Sequence, residues 1–256
     1  MRIPLLAALL LSAICALPLA ASARTVIASV PIGRTDLPWW EHRHEEKLAE
    51  LHRGPVELVF LGDSITQEWE KPEFQPIWQR YYGDRYAINL GFIGDTTASV
   101  LWRIDHGEVS GISPKVVVLL IGANNMGRPH WSADDTVDGI QAVLAQLRER
   151  LPHTKILLLS VLPSDRSPWI TQTTAEINRM LAARYVNHHV TDVTYLDVTP
   201  VFMKNGRLDT SLFLDPKMTP PEPALHPDPQ GMAAMAAAME PTLASLLGDR
   251  QHVAAK

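Results

Sequence analysis

Two stretches of this 256-residue chain, Val116–Ile121 (VVVLLI) and Ile156–Leu162 (ILLLSVL), are almost unbroken apolar runs. A strand with one wet face alternates apolar and polar residues. A run without alternation must be covered on both faces, as in a parallel sheet between two helix layers. Val56–Leu61, Tyr86–Leu90 and Val193–Val198 are three further short apolar runs. Between the runs, Phe74, Ile77, Trp78 and Tyr81, and then Val137, Ile140, Leu144 and Leu147, recur at helical spacing. Ile177, Met180 and Leu181 mark another crossover helix, and Met232–Leu247 a last one. The alternation predicts an α/β fold, a three-layer α/β/α sandwich on a five-stranded parallel sheet with right-handed crossovers. One domain is expected over 56–248, after a segment 24–55 whose helix packs on it and before a short tail, 249–256.

Residues 1–23 combine one Arg, an apolar run and the small-x-small ending Ala21-Ser22-Ala23. That pattern is a secretory signal peptide cut after Ala23, and it predicts a periplasmic or extracellular protein. Pro18 and the shortness of the run argue against a retained anchor. Ser-Ala-Ile is a poor match to what precedes a lipidated Cys15. No later stretch is long and apolar enough to span a bilayer. Cys15 is the only cysteine, so the expected mature chain has no disulfide, no reactive thiol and no cysteine-ligated metal. Net charge is −5, which argues against nucleic acid as a partner.

In a sheet of this kind, chemistry gathers just past the carboxyl ends of strands. Those positions read GDSIT, GFIGDTT and GANNMG. Ser64 in the first is either a nucleophile or a helix cap, and the Gly-x-Ser-x-Gly elbow pattern is missing around it. Gly94 in the second can bring a backbone N–H against an anion, or merely make a turn; no Lys follows in the position of a phosphate loop. Asn124 in the third can donate its amide to an oxyanion or form a turn. Far downstream, His226 stands in a run with six prolines between Leu214 and Gln230. Such stiff backbone presents one side chain in one place. No metal or other cofactor is expected. His42 and His44 lie two apart on a helix and point in different directions, and His188-His189 lack acids at ligand spacing.

Taken in order, VFLGDSITQ, NLGFIGDTTASVLWRIDHGE, PKVVVLLIGANNMG and LHPDPQG resemble the SGNH (GDSL-type) hydrolase superfamily. The chain is most similar to the branch that holds the catalytic subunits of platelet-activating-factor acetylhydrolase and their bacterial relatives. Leu101-Trp102-Arg103 and Gly107-Glu108 select that branch. The resemblance implies a flavodoxin-like SGNH fold, with Ser64 as nucleophile and His226 as its base. It also implies an oxyanion hole made by the N–H groups of Ser64 and Gly94 and the amide of Asn124.

The family places an Asp three residues before the histidine, where this chain has Pro223. Asp228 reads as the cap of a following helix, and Asp197 closes the fifth strand. Glu222 is therefore favoured as the group that orients His226, over a Ser–His dyad held by a backbone carbonyl. The expected activity is removal of small acyl groups, above all acetyl, from O-acylated carbohydrate. Trp39, Trp40, Trp131 and Trp169 could line a sugar site or simply pack. Two other readings stay open: an esterase directed at phospholipid-like esters, and a catalytically impaired binding protein on the same scaffold.

Overall fold

Each of the five apolar runs forms a strand in the computed structural model, which describes residues 25–186 and 192–252. The expected signal peptide and the His188-His189 pair lie outside the described residues. Strands β1 (Leu58–Gly62), β2 (Ala87–Gly91), β3 (Val116–Leu120), β4 (Lys155–Leu159) and β5 (Val193–Leu196) are all parallel, in the order β2-β1-β3-β4-β5. The order reverses direction at β1, so a crevice opens at the carboxyl ends of β1 and its two neighbours. Gly62 lies in register with both Gly91 and Leu120 there.

The strands are apolar throughout because alternate residues serve two cores. Val59, Leu61, Val117 and Leu119 pack under helices α4 (Thr97–Asp105), α5 (Ala133–Arg150) and α6 (Pro168–Tyr185). Leu58, Phe60, Val116 and Val118 pack under α3 (Gln75–Tyr82) and α7 (Pro229–Leu247). Asp228 caps α7, its side chain accepting from the Gly231 N–H at 2.8 Å with Pro229 at the first helical position, as the sequence predicts. An N-terminal helix, α1 (Pro38–Leu51), packs on the first core through Leu51 and buries Trp40 completely. A short hairpin, Met203–Lys204 with Arg207–Leu208, lies outside the main sheet and has no signature in the apolar pattern.

One buried cation ties the ends of β1 and β2 to the loop that follows β2. The Arg103 side chain on α4 is fully buried. It donates through Nε to Asp95 Oδ2 (2.8 Å), through Nη1 to Leu90 O (3.2 Å) and to Glu108, and through Nη2 to Gly62 O (3.1 Å). Its guanidinium carbon also sits 4.0 Å from the Phe92 ring centroid. Removing one partner of a buried ion pair strands the other charge, at about 3–5 kcal/mol. Arg103→Met is therefore expected to lose about that much stability in urea unfolding at neutral pH. A loss below about 1 kcal/mol would show that the network is dispensable.

Candidate active site

Ser64 is the first residue of a one-turn helix, α2 (Ser64–Gln67), directly after β1. Asp63 makes the turn, its carboxylate accepting from the Ile65 N–H at 3.0 Å. The sharp entry needs a glycine at 62, because a Cβ there would stand 2.3 Å from Thr66 Oγ1 and 2.4 Å from Leu120 O. Burial pushes the Asp63 carboxyl up to about 7, against the Ile65 N–H and the nearby His226.

The Ser64 hydroxyl lies 3.0 Å from His226 Nε2. On the other side of the ring, Nδ1 lies 2.7 Å from Asp215 Oδ1. Asp215 Oδ2 accepts the backbone N–H groups of His226 (2.6 Å) and Leu225 (2.8 Å). Burial raises the pKa of the Asp215 carboxyl, but these three donors outweigh it and hold the group below the usual carboxylate range. Burial likewise disfavours a charged His226. The hydrogen bond and charge of Asp215 outweigh it, helped by Glu68 and Asp63, so the imidazole titrates above its ordinary value.

The structure corrects the expectation for Glu222. Its side chain is exposed, and its backbone N–H donates to Asp215 O at 3.0 Å. Leu214 N donates to His226 O, and Asp228 N to Leu212 O, both at 2.8 Å. Residues 212–215 and 226–228 thus run antiparallel, with Phe213 bridged to Pro227. Asp215 is a cross-strand neighbour of His226, and the prolines between them form an excursion closed at its base. Sequence spacing concealed this; the signal was the pair of short segments SLFLD and ALHPD flanking a proline-rich stretch. The loop after β4 secures the base of the excursion, with Asp165 accepting from Ala224 N (2.7 Å) and Ser164 donating to Ala224 O (2.6 Å).

Gly94 follows β2 and Asn124 follows β3, the two strands that flank Ser64's own. Gly94 has φ +77°, a left-handed conformation that suits glycine. The Asn124 amide donates to Asp95 O at 3.0 Å, which leaves its second N–H free to donate elsewhere. Both residues line a cavity of about 650 Å³. Of the tryptophans, Trp131 lines that cavity, whereas Trp40 is core, donating its Nε1 to Asp95 at 2.7 Å. Trp39 is exposed, and Trp169 stacks on His130 at 3.8 Å between centroids. His42 is exposed beside Glu46 while His44 is buried, so the two do not converge.

The model of the GDSL-like lipase/acylhydrolase family matches residues 60–234. Platelet-activating factor acetylhydrolase IB subunit alpha1 from Bos taurus is 32% identical over 165 residues, 64% of this chain and 68% of that one. A GDSL-like lipase structure from Bacteroides thetaiotaomicron gives a TM-score of 0.64 at 20% identity, covering 80% of this chain and 97% of its own. A carbohydrate esterase family 3 structure from Talaromyces cellulolyticus gives 0.59 at 18% identity, covering 77% and 100%.

Two outcomes follow from the geometry. Asp215→Asn is expected to lower turnover by about 10⁴-fold, because an amide can hold the wrong tautomer, while Glu222→Gln changes it by less than about threefold. A larger loss from Glu222→Gln than from Asp215→Asn would reverse the assignment. A base must be neutral to accept a proton, and His226 titrates above the ordinary 6.5. kcat/KM on an aryl acetate should therefore rise with pH through a midpoint above 6.5 in the intact protein. In Asp215→Asn, burial is opposed only by the smaller influence of Glu68 and Asp63, and the midpoint should fall.

Proposed function

The chain belongs to the GDSL-like lipase/acylhydrolase family and is a carboxylic-ester hydrolase; on that premise we propose an exported serine esterase that removes acetyl groups from O-acetylated carbohydrate. One observation carries the reading. The Ser64 hydroxyl is hydrogen-bonded to an imidazole whose other nitrogen is held by a buried carboxylate, and Gly94 and Asn124, which follow the two strands flanking that of Ser64, line a cavity.

In this reading Ser64 Oγ attacks the ester carbonyl while His226 Nε2 takes its proton. The N–H groups of Ser64 and Gly94 and the Asn124 amide stabilise the tetrahedral oxyanion. Asp215 keeps the proton of the neutral ring on Nδ1 and stabilises the imidazolium. His226 then protonates the departing sugar alkoxide, leaving an acetyl-serine. Water, activated by the same imidazole, attacks that ester and releases acetate.

Small acyl groups are favoured because the cavity wall, although apolar at Ile32, Leu37, Ala98, Pro129 and Trp131, also carries the polar or charged side chains of Arg34, Asp36, Thr96, Ser99 and Arg128. A long alkyl chain would desolvate them without replacing their hydrogen bonds. The names of the mammalian relative and the fungal neighbour, an acetylhydrolase and a carbohydrate esterase, point the same way. The export assignment rests on residues 1–23. A lipid-directed esterase is the second reading, favoured by the 32% identity to the acetylhydrolase subunit. The binding-protein reading loses its motive, since Asp215 fills the place that Pro223 cannot.

Ser64→Ala should abolish both hydrolysis and labelling by a fluorophosphonate probe without loss of fold. Asn124→Ala should lower kcat by about 10²- to 10³-fold and move KM much less, since the oxyanion exists only beyond the ground state. Acetylated xylo-oligosaccharides and aryl acetates should be cleaved well. Faster cleavage of acyl chains longer than about eight carbons would sink the acetyl reading, because the polar groups of the cavity wall would have to be buried against alkyl chain.

A further inference from the structure

We infer, building on the esterase reading, that the cavity is made for an acetylated sugar that carries a carboxylate, recognised by Arg34 and Arg128. Arg34 stands on the segment ahead of α1, at the cavity wall next to the oxyanion donors. Its Nη1 donates to Ile93 O at 2.6 Å and lies 3.5 Å from Asp95 Oδ1. Its Nη2 and Nε make no hydrogen bond among the described residues. Asp95 does not neutralise it fully, because that carboxylate already accepts from Trp40 Nε1 and Arg103 Nε. A planar cation with unused donors beside an open cavity is suited to a carboxylate.

The cation is held against Gly94. A Cβ on residue 94 would stand 2.8 Å from Arg34 Nη1, so glycine there admits the guanidinium as well as the left-handed turn. The backbone that carries Arg34 is anchored, not a loose tail. Ile32 N donates to Ala98 O at 3.0 Å, and Thr97 Oγ1 donates to Ala28 O at 2.7 Å. Preorganisation of this kind reduces the entropy lost when a ligand binds.

Arg128 adds a second cation from the loop after β3. It is exposed and has no hydrogen bond or ion pair among the described residues. Asp36 is the one acidic residue on this cavity, so the lining is cationic on a chain whose net charge is −5. Trp131, on the same wall, offers an aromatic surface for the C–H face of a pyranose. A volume of about 650 Å³ is sufficient for a small glycan unit.

The test is a matched pair of substrates, a mono-O-acetyl methyl glucuronoside and the corresponding methyl glucoside, which differ only in carboxylate against hydroxymethyl. The intact protein is expected to favour the acid by about tenfold in kcat/KM at low salt, mostly through KM, and less at high salt. Arg34→Ala should collapse that ratio to below about twofold, with Arg34→Lys between, since lysine keeps the charge without the fork. Arg128→Ala should reduce the ratio by about threefold. A purely structural role for Arg34 would depress both substrates alike and leave the ratio standing, which overturns the inference. So would a ratio near one in the intact protein, or faster deacetylation of an acetylated glycerophospholipid than of the glucuronoside. Aryl acetate hydrolysis separates the two levels. If it persists while the ratio is flat, only the charge inference fails; if it is absent, the esterase reading fails as well.

Discussion

The guanidinium of Arg103 is the interaction on which the geometry of this site depends. A buried cation must be fully paired, and an arginine offers its five N–H donors in fixed directions. Here those directions reach the last residue of β1, the carbonyl of Leu90 in β2, and the carboxylate of Asp95. The Asp95 carbonyl accepts in turn from Asn124, which follows β3. One chain of hydrogen bonds thus fixes the turn that carries Ser64, the loop that carries Gly94 and the side chain of Asn124 relative to one another. A lysine could supply the charge but not the planar set of directions.

The histidine half of the site is held by other means. Phe213, Ala224 and Met232 belong to the opposite core, under α7, and the Asp215–His226 pair rests on them. The hydrogen bond from Ser64 to His226 joins the two halves across the end of the sheet. Ten residues separate Asp215 from His226 where the family pattern has two. Loop-closure entropy rises only logarithmically with length, so the longer excursion adds about 1 kcal/mol. The hydrogen bonds at its base, from Glu222 N to Asp215 O and from Ala224 N to Asp165, offset that cost. A family hallmark defined by spacing can therefore be lost while its geometry survives.

This explains what was legible in the sequence. The five strands could be read because burial on both faces leaves an apolar run, and the same runs placed Ser64, Gly94 and Asn124 just past the ends of β1, β2 and β3. Helix α4 does carry a helical period in Val100, Leu101 and Ile104, but it spans only nine residues and is buried from Thr97 through Leu101 and again at Arg103 and Ile104, so little polar face sets it off. Asp215 was hidden for a different reason. Its contact with His226 is made across an antiparallel pair, and a search confined to residues adjacent in sequence stops at Glu222, which contributes only its backbone N–H. Trp40, a candidate for a sugar surface on composition alone, turned out to be a hydrogen-bond donor to the buried network.

The family match begins at residue 60, after the segment that supplies Trp40 and Arg34. Trp40 Nε1 and Arg34 Nη1 both reach Asp95 Oδ1, at 2.7 Å and 3.5 Å. The added segment therefore does two things at one loop: it completes the burial of the charge that Arg103 holds, and it forms part of a cavity wall that Gly94 and Asn124 share. Because Ser64 and His226 both lie within the matched region, after this segment, a change in this wall can alter what docks beside Gly94 without moving either of them. The wall is nevertheless drawn from both sides of β1, with Arg34 and Asp36 ahead of the strand and Arg128 and Trp131 after it.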